Sequence, residues 1–166
     1  MSRLTLGLSL SLLGLAASSA AGACAPTFDL SATPEYQNLD FAADIQPIFD
    51  VACVSCHGVL GNLDLSAGQA YANLVNVPSF NPNNAMDRVE PGDPGQSFLF
   101  WKLNCSNPGA LGWGAMMPLG GPPLAASDQA RIMDWIREGA PPAKDATRVF
   151  RHGFEARPAQ PPAPSP

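Results

Sequence analysis

Two thiols and an imidazole fall within five residues, Cys53-Val-Ser-Cys56-His57, and no other stretch restricts the fold as much. The spacing CxxCH is the attachment signature of a c-type haem. Two thiols three residues apart can add across the vinyl groups on one edge of a porphyrin, and the histidine that follows then lies under the ring as the proximal iron ligand. A chain built this way must present the motif on a tight turn and gather apolar side chains around a large flat cofactor. Two other chemistries use a CxxC pair. A redox dithiol sits between a strand and a helix and requires no histidine, while a structural zinc site needs a second ligand pair. Only Cys24, Cys105 and His152 remain for such a pair, widely scattered along the chain. The expectation is one covalently held haem c with its iron.

The N-terminus agrees with that chemistry. Residues 1–23 contain one basic residue, Arg3, then an apolar run from Leu4 to Ala17 and the small-residue stretch Ala20-Ala21-Gly22-Ala23. This is the pattern of a secretory signal peptide, and the run is shorter than the ~20 residues that span a bilayer. Haem c is attached outside the bacterial cytoplasm, so the motif and the leader both point to the periplasm or cell envelope. Ala21-Gly22-Ala23-Cys24 also resembles a bacterial lipoprotein processing box, with Ala where Leu is usual three residues before the cysteine. Cys24 thus has two fates open to it. It is lipidated, which makes a lipid anchor the sole membrane contact, or it remains a thiol that can pair with Cys105 in an oxidising compartment.

Composition bounds the remainder. Eighteen prolines and fifteen glycines among 166 residues are too many for a helical bundle throughout, so a few helices joined by long ordered loops are expected. The expected divisions are a signal peptide at 1–23, a flexible tether at 24–40, a haem domain at 41–142 and a tail at 143–166. The tail is basic at first and Pro-rich from 158 onward, a composition that favours an extended chain. Between Cys24 and Ala143 twelve acidic residues face four basic ones, Arg88, Lys102, Arg131 and Arg137. Nothing there forms a basic surface able to track phosphates, which excludes a nucleic-acid partner. An acidic surface fits docking to a basic or apolar patch on a redox donor or acceptor protein, and equally fits simple solubility.

Local signals place the elements. Pro47 suits the first turn of a helix covering Ile48, Phe49, Val51 and Ala52 and leading into Cys53. Ser66 can cap a brief helix through Tyr71 and Leu74. Asp93-Pro94 reads as an N-cap and first helical residue, opening a helix through Phe98, Trp101 and Leu103. Ser127 opens the last helix, in which Ile132, Trp135 and Ile136 recur at helical spacing before Gly139. Phe98, Trp101, Trp113 and Trp135 supply aromatic surface, read first as core.

Six blocks occur in fixed order: Pro47-Ile48, Cys53-xx-Cys56-His57-Gly58, Leu63-Asp64-Leu65-Ser66, Pro91-Gly92-Asp93-Pro94-xx-Ser97, Met117-Pro118-Leu119-Gly120-Gly121-Pro122 and Trp135-Ile136-xx-Gly139-Ala140. Together, over about 40–140, they resemble the small planctomycete-type c-type cytochrome domains, a branch of the class I cytochrome c fold. The resemblance implies an all-α haem domain, a His/Met-ligated iron and an electron-transfer role. A thioether favours ferrous iron and raises the potential, which suits that role. The methionines available are Met86, Met116, Met117 and Met133. Met117 precedes Pro118 in a Gly- and Pro-rich loop and occupies the ligand position of the family motif, with Met116 as the fallback. Met86 and Met133 read as packing or surface residues, and His152 as a solvated residue of the basic tail. An electron carrier is the expected function, not an enzyme. The alternatives are a haem sensor or catalyst with an open sixth position, which the chain gives no distal histidine to support, and a haem-bearing anchoring subunit of a larger redox complex.

Overall fold

The computed structural model describes residues 29–58, 62–80, 86–105 and 115–146. The fold grows from short helices, each limited by a local signal. Asp40 accepts the Ala43 N–H at 2.9 Å and caps a single turn of π-helix, Phe41–Ile45, which runs straight into α1, Gln46–Ala52. Pro47 stands in the first turn of α1, where its missing N–H has no helical partner to lose. Cys53 leaves helical geometry at φ −126° and separates α1 from the one-turn α2, Val54–His57. The helix expected from Ser66 begins only at Ala70 (α3, Ala70–Leu74), because Gly68 takes φ +83° and turns the chain first.

The expected Pro94 helix is also split. Asp93 caps a 3-10 turn, Pro94–Gln96, and Ser97 then becomes extended before α4, Phe98–Asn104. The buried Ser97 hydroxyl holds this break, donating to the carbonyl of Asp93 at 2.8 Å and accepting the Glu90 N–H at 2.9 Å. The last helix, α5, spans Ala126–Arg137, one residue earlier than Ser127 suggests. Two isolated bridges, Val75 to Val89 and Pro78 to Asp87, join the loops around α3 and α4. The described residues form no named strand, so the architecture is all-α. No described helix is long and apolar enough to cross a membrane.

The core lies where α5 meets α4 and the π-helical turn. Ile132, Met133, Trp135 and Ile136 are fully buried on one side of α5, against Phe41, Ile45, Phe49, Leu74 and Phe100. Each such side chain contributes about 1.5–3 kcal/mol by leaving water. Trp135 closes the cluster, its ring 5.2 Å from Phe41 and 6.4 Å from Tyr71, its Nε1 donating to Pro141 O at 2.9 Å.

The segment expected to be a tether departs from that expectation in its described part. Residues 29–40 lie on the domain, with Leu30 and Leu39 buried in the core. Asp134 accepts the Tyr36 N–H at 2.8 Å, and the Glu138 carboxylate accepts both the Asn38 and Leu39 N–H groups at 2.8 and 3.1 Å. Acidic side chains at the end of α5 thus accept main-chain N–H groups of this segment. The start of the expected tail docks there too: Lys144 pairs with Asp44 at 3.2 Å, and the Asp145 N–H reaches Asn38 Oδ1 at 2.9 Å. Removing the double acceptor by Glu138→Ala should lower stability by about 1–2 kcal/mol. It should also speed amide exchange at Asn38 and Leu39, both read by hydrogen exchange and a denaturant titration. Unchanged protection at both amides would mean that the carboxylate does not hold the segment.

Candidate functional site

The CxxCH residues occupy the seam between α1 and α2. Cys53 ends α1 with its N–H on Phe49 O at 2.8 Å, and its carbonyl then accepts the N–H of both Cys56 and His57, at 3.1 and 2.8 Å. One residue therefore closes one helix and starts the next, which gathers both thiols and the imidazole on a single turn. Cys53 is half-buried against the core, Cys56 is exposed, and both are free thiols. Gly58 follows so closely that a methyl group there would lie 3.0 Å from Val54 O, which explains a glycine after the histidine.

The histidine is anchored by its main chain. Leu65 N–H donates to His57 O at 2.6 Å, and Leu65 O accepts from Gln46 Nε2 at 3.0 Å, so α1 holds the segment that holds His57. Gln46 Nε2 also reaches Asp50 Oδ1 at 2.7 Å. The His57 side chain contrasts with this: its Nδ1 is buried and has no hydrogen-bond partner. Leaving a polar atom buried and unpartnered costs about 1–3 kcal/mol.

Cys53 is not set up as an attacking thiolate. Burial, with Cys56 beside it, pushes the Cys53 thiol up to about 11, so it stays protonated at neutral pH. An attacking CxxC cysteine is instead lowered toward or below neutrality. Nor does the strand that precedes such a dithiol occur here; α1 takes its place. Among the described residues, no group of three or more His, Cys, Asp and Glu side chains converges as a zinc site would require.

The described part of the segment carrying the second candidate ligand begins at Ala115. Met117 is partly buried and packs against the core, its N–H donating to Lys102 O at 2.8 Å. The Met117–Pro118 peptide is cis. Met116 is partly exposed beside it. Met133 is fully buried in α5 and Met86 is 4% exposed, both side chains within the domain interior. Lys102, counted in the sequence only as one of few positive charges, proves to be the residue on which this loop rests; the apolar run Phe98-Leu-Phe-Trp-Lys-Leu around it is the signal that it is not a solvated charge. Trp101 is buried with its Nε1 donating to Gly95 O at 2.7 Å. Cys105 is buried and disulfide-bonded. Cys24, Trp113, His152 and the signal segment 1–23 lie outside the described residues.

No protein-family description matches this chain, and no curated protein does. Among solved structures it is similar to Kuenenia stuttgartiensis hydrazine synthase, at 25% identity with a TM-score of 0.43. That similarity covers 61% of this chain and 16% of the other, so the chain spans about a sixth of the protein it matches.

Proposed function

We propose that this chain is an exported c-type cytochrome, of class I cytochrome c-like fold, that carries single electrons between redox proteins in the periplasm or cell envelope. The single observation that carries the reading is the CxxCH turn, on which Cys53 O gathers two free thiols and the imidazole. The donor set is one that haem c would take: two free thiols on one turn would form the thioether bonds, and the His57 imidazole and Met117 thioether would ligate the iron. Bound haem supplies a one-electron iron couple. The chain's own residues do the rest. Cys53 and Cys56 hold the porphyrin edge, and the His57 main chain, tied through Leu65 to α1, fixes the imidazole's position. Met117 supplies a soft donor and closes the position that a catalyst or sensor would leave open. The reading makes no use of a nucleic acid.

Protein made in a host with haem c maturation should exceed the mass of the processed polypeptide by one haem. It should keep its colour through acid–acetone extraction and denaturing electrophoresis, and the double substitution Cys53→Ser, Cys56→Ser should lose both properties. A colourless wild-type protein, or one whose haem extracts freely, would overturn the proposal.

A further inference from the structure

The loop bearing Met117 is fastened to one residue of α4 at two points. Lys102 accepts the Met117 N–H on its carbonyl at 2.8 Å, while its ammonium turns back and donates to the carbonyl of Ala115. The ammonium also lies 5.9 Å from the centre of the Phe98 ring. Main chain and side chain of a single lysine therefore grip the loop on both sides of Met116. A surface lysine ordinarily lays its stem on apolar neighbours and leaves the ammonium in water. Here the lysine is half-buried, and its ammonium donates to a main-chain carbonyl. The base of the grip is firm: Asn104 Nδ2 donates to Gln129 Oε1 at 2.7 Å and ties α4 to α5 inside the core.

We propose that Lys102 is the positioning residue of the Met117 loop, its ammonium setting how firmly the thioether is presented to the haem iron. The proposal rests on Met117 being the second axial ligand. A protein-borne ligand competes with water and small molecules through its effective concentration, which falls when the segment carrying it is loosened. Removing the ammonium leaves the main-chain bond to Met117, the apolar stem and the α4–α5 contact in place, so the loop loosens without loss of the core.

The test uses the haem-loaded protein. Lys102→Met keeps the stem and removes the donor; Lys102→Arg keeps a donor. Cyanide binding to the ferric protein, limited by departure of the thioether, should be about tenfold faster in Lys102→Met, which corresponds to about 1.4 kcal/mol. The long-wavelength sulfur-to-iron absorption should weaken, and Lys102→Arg should restore both toward wild type. A merely structural role would lower the thermal midpoint and leave the absorption band and the cyanide rate alone. Lys102→Gln, which also lacks the ammonium, carries the same comparison should Lys102→Met not accumulate with haem. Wild-type rates and an intact band in the variants without ammonium would overturn the role of Lys102 alone. A wild-type protein without the band would overturn the ligation by Met117, and this proposal with it.

Discussion

Trp135→Ala should destabilise the domain by about 3–5 kcal/mol, the largest loss expected of any single substitution in the core. A domain of this size holds about 5–15 kcal/mol in total, so the loss takes from about a fifth of that margin to all of it. The reason is the number of elements that meet on one ring. Trp135 is fully buried in α5, touches Phe41 of the π-helical turn and Tyr71 of α3, and binds Pro141 O through its Nε1. Tyr71 in turn donates its hydroxyl to Ala140 O at 3.0 Å, so the chain leaving α5 is held from two sides. Alanine would leave a cavity, a bare Pro141 carbonyl and a Tyr71 ring that keeps Phe41 but loses Trp135. Trp135→Phe should recover part of the loss by refilling the space, though not the hydrogen bond. Denaturant midpoints measure both, and a loss below about 1 kcal/mol in Trp135→Ala would contradict the described packing.

Met117→Ala should change the iron's ligation outright. In the haem-loaded protein it should abolish the long-wavelength ferric absorption, admit CO to the ferrous form, and lower the reduction potential, because the soft donor that favours Fe(II) is gone. Met116→Ala should do little beyond loosening the loop. Met117 packs against the core with its N–H held on Lys102, whereas Met133 and Met86 are committed to the interior. Should the wild type take up CO readily, and Met117→Ala leave spectrum and potential unchanged, the iron would not be ligated by this loop. A sensing or catalytic haem would then be the better account.

Much of the helical scaffold could be read before any coordinates, because its signals are local. Pro47 announces α1, the spacing of Ile132, Trp135 and Ile136 announces α5, and Asp93-Pro94 announces a helix that the structure splits into a capped 3-10 turn and α4. The site's CxxCH turn was equally legible, since both thiols and the imidazole lie in adjacent positions. What stayed hidden depends on partners far along the chain. Residues 29–40 look like a polar linker because their backbone donors are met by carboxylates about a hundred residues later, at Asp134 and Glu138. No periodicity reports such a pairing. Lys102 was hidden for a similar reason: nothing in its own neighbourhood says that its charge turns inward to the carbonyl of Ala115. The break at Ser97 was missed because a hydroxyl that bonds the main chain of Glu90 and Asp93 competes with helix continuation only in the folded chain.

The clasp between residues 36–40 and 134–145 has a mechanical meaning. The Asp134 and Glu138 carboxylates, the Lys144–Asp44 pair and the Asp145–Asn38 bond all cross between the two flanks of the described chain, side by side. Tension applied between those flanks would load this row of polar contacts first. The row therefore stands between a pull on the two flanks of the described chain and the turn at Cys53–His57.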